Sequence, residues 1–128
     1  MIRLFDTHLL LWAAYEPERL SDEVRAELTD PEVEPMFSAA SIWEVSIKAG
    51  LGRPDFTADS RLLRRGLLDN GYRELSISSA HAAAVIELPM LHRDPFDRML
   101  VAQSRVEGVV LFTCDEMVAQ YGDPVRLI

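Results

Sequence analysis

"VVLFTCDEMVAQYG", residues 109–122, decides the architecture. From Val109 to Phe112 the run is apolar without alternation, so the strand predicted over 109–113 keeps no face for solvent. Asp115 follows two residues beyond it, and "DEMVAQYG" continues as a short helix. A strand buried on both faces and leading into a helix belongs to a parallel sheet covered by helices on both sides.

The same unit recurs on either side of this stretch. "IRLF" (2–5) is a short apolar strand, met at once by Asp6 and the helical "THLLLWAAY" (7–15). "SDEVRAELTD" (21–30) reads as a helix with Ser21 as N-cap, and "DPEVEP" (30–35) as a proline-bounded loop. A strand is predicted over 36–39, a helix over 41–50 ended by Gly50, a loop over 51–60, and a helix over 61–71 stopped at Asn70-Gly71. "YRELSI" (72–77) is a strand and "SSAHAAAVIEL" (78–88) a helix before Pro89. "DPFDRMLVAQSRVEG" (94–108) is an apolar-striped helix, and "VRLI" (125–128) a last strand. The expectation is a single domain over residues 1–128, a three-layer α/β/α sandwich around a mostly parallel sheet.

Composition adds bounds. Hydrophobic residues are 48% and charged residues 27% of the chain, an ordinary globular balance. No apolar run approaches the ~18 residues of a membrane span, and the first strand leaves no room for a signal peptide before it. With one cysteine, Cys114, no internal disulfide can form, and a reducing cytoplasm is expected. The formal charge of −8 argues against broad, sequence-blind nucleic-acid binding.

Sites in parallel sheets form outside the carboxyl ends of the strands. Asp6, Glu44 and Asp115 all follow strands, so they share one rim. Each also has a plain structural role available. Asp6 can be an N-cap; Glu44 can complete an S-x-x-E capping box with Ser41; Asp115 lies within a Thr113–Glu116 box. Asp94 before Pro95 reads as an N-cap, which leaves Asp97 in the first helical turn. Asp97 nevertheless borders the apolar stripe of Phe96, Met99, Leu100 and Val106, three residues from a like charge. Such a pair is mildly destabilising, by ~0.2–0.5 kcal/mol. Converging carboxylates without a histidine or cysteine ligand set are the donors that a hard cation such as Mg²⁺ or Mn²⁺ requires, and the cation removes the repulsion.

At these residues the chain resembles the PIN-domain ribonucleases, and among them the VapC-type toxins of bacterial toxin–antitoxin pairs. "LFDTHLLLW", "SAASIWEVSIKAGLG", "HRDPFDRMLVAQ" and "LFTCDEMVAQY" carry the resemblance, in order, over essentially the whole chain. It implies Asp6, Glu44, Asp97 and Asp115 as the catalytic acids. The metal set would be Asp6, Asp97 and Asp115, with Glu44 bound directly or through water and Asp94 an outer or alternative ligand. It further implies Mg²⁺ or Mn²⁺ as cofactor, RNA as substrate, a cognate antitoxin as partner, and a homodimer. Thr7 and Thr113, beside two of the acids, are candidate supporting hydroxyls. Lys48, Arg93 and Arg98 are candidate phosphate contacts, each with a surface ion pair as the plainer reading. Arg61, Arg64 and Arg65 form a basic stripe better read as a solvated helix face.

His8, His81 and His92 lack metal-ligand spacing, Cys114 reads as packing, and Trp12 and Trp43 as core or dimer-interface residues. Two other small acidic α/β classes fit poorly. A phosphoaccepting receiver domain wants adjacent acids after the first strand, and a haloacid-dehalogenase-type phosphatase wants D-x-D where this chain has "DTH". The alternative from another class is a catalytically silent PIN-like module that acts by binding protein.

Overall fold

The computed structural model describes residues 1–54 and 56–128; Asp55, within the loop predicted over 51–60, lies outside the described residues. The chain runs β1 (Ile2–Phe5), α1 (Thr7–Tyr15), α2 (Asp22–Thr29), β2 (Glu34–Ser38), α3 (Ala39–Gly50) and α4 (Ser60–Asp69). It continues through β3 (Arg73–Leu75), α5 (Ser79–Ala84), α6 (Pro95–Glu107), β4 (Val110–Thr113), α7 (Glu116–Ala119) and β5 (Val125–Leu127). Short 3-10 turns at Pro17–Arg19 and Val85–Glu87 were not foreseen; the second ends the helix predicted over 78–88 four residues early.

The strands form one sheet in the order β3-β2-β1-β4-β5, with every neighbouring pair parallel. Alternation on the three central strands divides the core. Leu4, Met36 and Leu111 face one side, against Leu100 and Val101 of α6 and Val118 of α7. Phe5, Phe37 and Phe112 face the other, against Leu9 and Leu10 of α1, Val24 of α2 and Leu63 and Leu67 of α4. This is the three-layer α/β/α arrangement expected. No helix among the described residues is long and apolar enough to cross a membrane.

Three expectations need correction. β2 begins at Glu34 and so includes Pro35, which the sequence reading left in a loop. Glu34 donates its N–H to the carbonyl of Met1, so the nitrogen of Pro35 faces the opposite side, where β3 pairs only from Met36 onward. A proline at that place removes no ladder bond. Second, α3 starts at Ala39 with Ser38 as N-cap, which puts Ser41 inside the helix and leaves no Ser41–Glu44 capping box. Likewise Asp115, not Thr113, caps α7. Third, Val106 on α6 is exposed, whereas Arg98, Gln103 and Ser104 are buried with Leu100, Val101 and Ala102.

Candidate metal centre and acidic site

β1 leads directly into Asp6, whose N–H still donates to the carbonyl of Phe112 at 3.0 Å. The ladder with β4 therefore runs up to the acid and lays Thr113 beside it. Asp6 is buried and caps α1, its Oδ1 accepting from the N–H of Leu9 at 3.0 Å. Thr113 Oγ1 donates to Asp6 Oδ2 at 2.6 Å and accepts from the N–H of Asp115 at 3.0 Å. Burial pushes the Asp6 carboxyl above its ordinary range, against the opposing pull of Thr113 and Leu9.

Glu44 enters from α3 and is also buried. Its Oε2 accepts from Lys48 Nζ, one turn on, at 2.5 Å. Its Oε1 is buried with no hydrogen-bond partner among the described residues. A buried carboxylate oxygen left without a donor costs about 1–3 kcal/mol or more, so this atom is open to a cation. α3 is held to α1 by Thr7, whose Oγ1 donates to Ser41 Oγ at 2.9 Å. Thr7 thus fastens α1, capped by Asp6, to the Glu44-bearing α3, and its hydroxyl makes no hydrogen bond to an acid among the described residues.

Asp94 caps α6, Oδ1 accepting from the N–H groups of Phe96 at 2.9 Å and Asp97 at 3.1 Å. Asp97 projects from the first turn. Its pKa is raised to about 6, first by burial, then by Asp94, with Glu44 and Asp6 adding to the push and a contact with His92 opposing it. Asp6, Glu44, Asp94 and Asp97 therefore share one electrostatic neighbourhood. Asp115, on the same rim, spends Oδ1 on the N–H of Met117 at 2.8 Å, and its charge presses on the Cys114 thiol. That thiol is pushed to about 11, mainly by burial and then by Asp6 and Asp115. It stays protonated at neutral pH and is no nucleophile.

Among the described residues no three acidic, histidine or cysteine side chains stand close enough to grip an ion without adjustment. The donor chemistry nevertheless fits a hard divalent cation: the shared neighbourhood is all carboxylate oxygen, one buried oxygen lacks a partner, and like charges raise one member's pKa.

The basic candidates separate. Lys48 is bound to Glu44 and only one-third exposed. Arg93 is exposed, with no ion pair among the described residues, and borders a shallow cleft with Trp43, Val85 and Phe96. Arg98 cannot serve as a phosphate contact. It is buried and donates to the carbonyls of Pro89, Val85 and Leu88 and to Tyr121 Oη. Arg64 pairs with Glu74 and Arg61 approaches Asp59, as a solvated face would. A second cleft, about 370 Å³, opens beside Glu44 and is lined by His8, Trp12, Arg19, Lys48 and Phe56. Trp43 is well exposed and packs edge-on against Phe96, so it is not core.

His92 was missed. Its Nε2 lies 3.3 Å from Asp97 Oδ2, and its Nδ1 2.8 Å from Tyr121 Oη. A search for ligand spacing passes over it, because its contact is to an acid five residues away across a helix start. The one signal available was its place in the string "HRDPFD" itself.

No curated protein sequence matches the chain. Among solved structures, the fold is similar to a chain of VapBC2 from Rickettsia felis bound to a DNA fragment from their promoter, with a TM-score of 0.71, 13% identity and coverage of 100% of this chain and 98% of that one. It is similar to a chain of VapBC-1 from nontypeable Haemophilus influenzae, with a TM-score of 0.64, 16% identity and coverage of 100% and 97%. A toxin-antitoxin complex from Klebsiella pneumoniae gives a TM-score of 0.63 at 18% identity, covering 97% and 95%. At such identities the likeness speaks for the fold. The PIN domain family model matches residues 3–124, a span that contains every one of the candidate acids, and the chain belongs to the PIN domain family.

Proposed function

We propose that this chain is a divalent-metal-dependent endoribonuclease, the toxin of a toxin–antitoxin pair, acting in the cytoplasm. One observation carries the reading: Glu44 has a buried oxygen with no hydrogen-bond partner among the described residues, and its charge, with those of Asp94 and Asp6, raises the pKa of Asp97. Carboxylates whose mutual repulsion and burial raise a pKa are a mark of functional sites. Asp6, Asp97 and Asp115 are the proposed direct ligands, with Glu44 binding directly or through water and Asp94 outside them. Mg²⁺ or Mn²⁺, when bound, supplies Lewis-acid stabilisation of charge on the phosphate and acidifies water.

The chain's own groups do the rest. Glu44 Oε1 is free to accept a proton from an attacking water. Thr113 orients Asp6. Lys48 neutralises Glu44 in the free protein, and would be placed to meet a phosphate if a cation took over that carboxylate. The adjoining cleft holds Arg19 and Lys48 paired with Glu16 and Glu44, and the Arg19 guanidinium lies over the Trp12 ring at 4.6 Å, so those pairs would have to open before either cation met a phosphate. Hydrolysis by water leaves a 5′-phosphate and a 3′-hydroxyl.

The toxin–antitoxin complexes from Klebsiella and the VapBC assemblies share this fold, which supports an antitoxin partner here. The net charge of −8 and the acidic pocket suit a basic antitoxin segment. The exposed Trp43, above Phe96 and Val85, is the surface we assign to a homodimer.

The test is incubation of EDTA-stripped protein with total RNA, with and without Mg²⁺ or Mn²⁺, and mapping of the new ends. Metal-dependent cleavage leaving 5′-phosphates is expected. A folded protein inactive with every metal would transfer the reading to a silent protein-binding module.

A further inference from the structure

We propose that Arg98, Tyr121 and His92 form a one-way hydrogen-bond relay that holds the Asp97 carboxylate in its cation-binding orientation, with His92 as the positioning residue. The proposal rests on the cation reading of the acidic site and assigns a role to three side chains that the reaction itself does not use.

Arg98 sets the direction. A guanidinium only donates, and here it is buried, with Nη1 directed at Tyr121 Oη at 2.9 Å and at the carbonyl of Pro89 at 2.9 Å. Tyr121, itself buried, accepts from Arg98 on one lone pair, and the relay assigns its own proton to its other neighbour, His92 Nδ1 at 2.8 Å. A ring nitrogen that accepts carries no proton, so the proton of the neutral imidazole sits on Nε2. Nε2 faces Asp97 Oδ2 at 3.3 Å. The opposite polarity would set a nitrogen lone pair against a carboxylate. In this relay every donor points from the fixed cation toward the acid.

The geometry ties together separate pieces of chain. Arg98 and Asp97 stand on α6, His92 on the loop before it, and Tyr121 just past α7, its ring against that of His92 with centroids 5.3 Å apart. Oδ2 is engaged by His92, and Oδ1 has no hydrogen-bond partner among the described residues. A donor behind one carboxylate oxygen fixes the plane of the group and leaves the other oxygen for an ion, as outer partners of metal ligands do. The 3.3 Å separation is long for a hydrogen bond, as is common for such contacts before the ligand arrives.

The test uses the full chain, stripped with EDTA, and compares wild type with Tyr121→Phe, His92→Phe and His92→Gln. Long-range ¹H–¹⁵N NMR at alkaline pH reads the His92 tautomer without metal, and Mn²⁺ titration followed by electron paramagnetic resonance reads affinity. The wild-type ring is expected in the Nε2–H form, and Tyr121→Phe in a mixture of tautomers. Mn²⁺ affinity should fall about 10-fold in Tyr121→Phe and His92→Phe, and His92→Gln, which keeps an N–H donor, should recover most of it. A wild-type ring protonated on Nδ1 overturns the relay, as does Mn²⁺ binding by Tyr121→Phe and His92→Phe equal to wild type. Folded wild type that binds no Mn²⁺ overturns the cation reading, and the proposal with it; normal wild-type binding with unaffected variants counts against the relay alone. Should Tyr121→Phe unfold, the contrast between His92→Phe and His92→Gln decides.

Discussion

Two demands conflict at Asp97. The start of α6 favours an anion in its first turn, while burial and the charges of Asp94, Glu44 and Asp6 oppose one and raise the pKa to about 6. In the unfolded chain the group returns to about 3.8. Protonated Asp97 therefore favours the fold, a contribution complete below pH 3.8 and lost as the pH rises through 6. Metal-free Asp97→Asn should melt above wild type at pH 7.5, by the equivalent of about 1–3 kcal/mol after screening, and the gap should narrow as the pH falls through 6 and close near 3.8. Melting curves across that range check it; a gap constant with pH would contradict it. The same substitution should abolish metal-dependent cleavage. Asp6, Glu44 and Asp115 are legible in the sequence because each follows a strand. His92 is not, since nothing in its spacing reports a contact made across the turn into α6. Arg98 misleads for a related reason: beside two acids it looks like a phosphate contact, and only the folded chain shows its carbonyl partners.

Boundaries follow from local chemistry wherever a cap or a breaker is present. Pro95 and Asp94 start α6, and Gly108 ends it in the left-handed region at φ 68°. Nothing lies within 4 Å of a Cβ added there, so Gly108→Ala meets strain without a clash. It should cost about 1 kcal/mol in a urea titration and leave cleavage unchanged. Where long-range contacts decide, sequence reading slips. Ser41 passes for a cap because its partner, Thr7, is 34 residues away on α1. Thr7→Val should destabilise the protein by about 1 kcal/mol. Because this bond fastens the Asp6-bearing and Glu44-bearing elements together, the variant should also weaken Mn²⁺ binding. Unaltered binding in a destabilised Thr7→Val would limit the bond to a structural role.

Alternation of strands and helices is enough to foresee the parallel sheet with helices on both faces. It does not say that β1 lies at the centre between β2 and β4, because strand order depends on how each crossover packs. That order is what gathers the site, since it sets Asp6 beside Thr113. For the whole molecule, a cation bound only by the folded chain should raise its stability. At 100 times the dissociation constant the gain is about 2.7 kcal/mol, a rise of several degrees in Tm that EDTA reverses. In EDTA a chain of net charge −8 should show little affinity for RNA. The most direct measurement is an anomalous-difference map from crystals of the protein soaked in Mn²⁺. A peak is expected among Asp6, Asp97 and Asp115 on the rim where β1 and β4 end, with Glu44 at or next to the ion. A well-ordered map with no peak among these carboxylates, or with manganese bound only elsewhere, would contradict it.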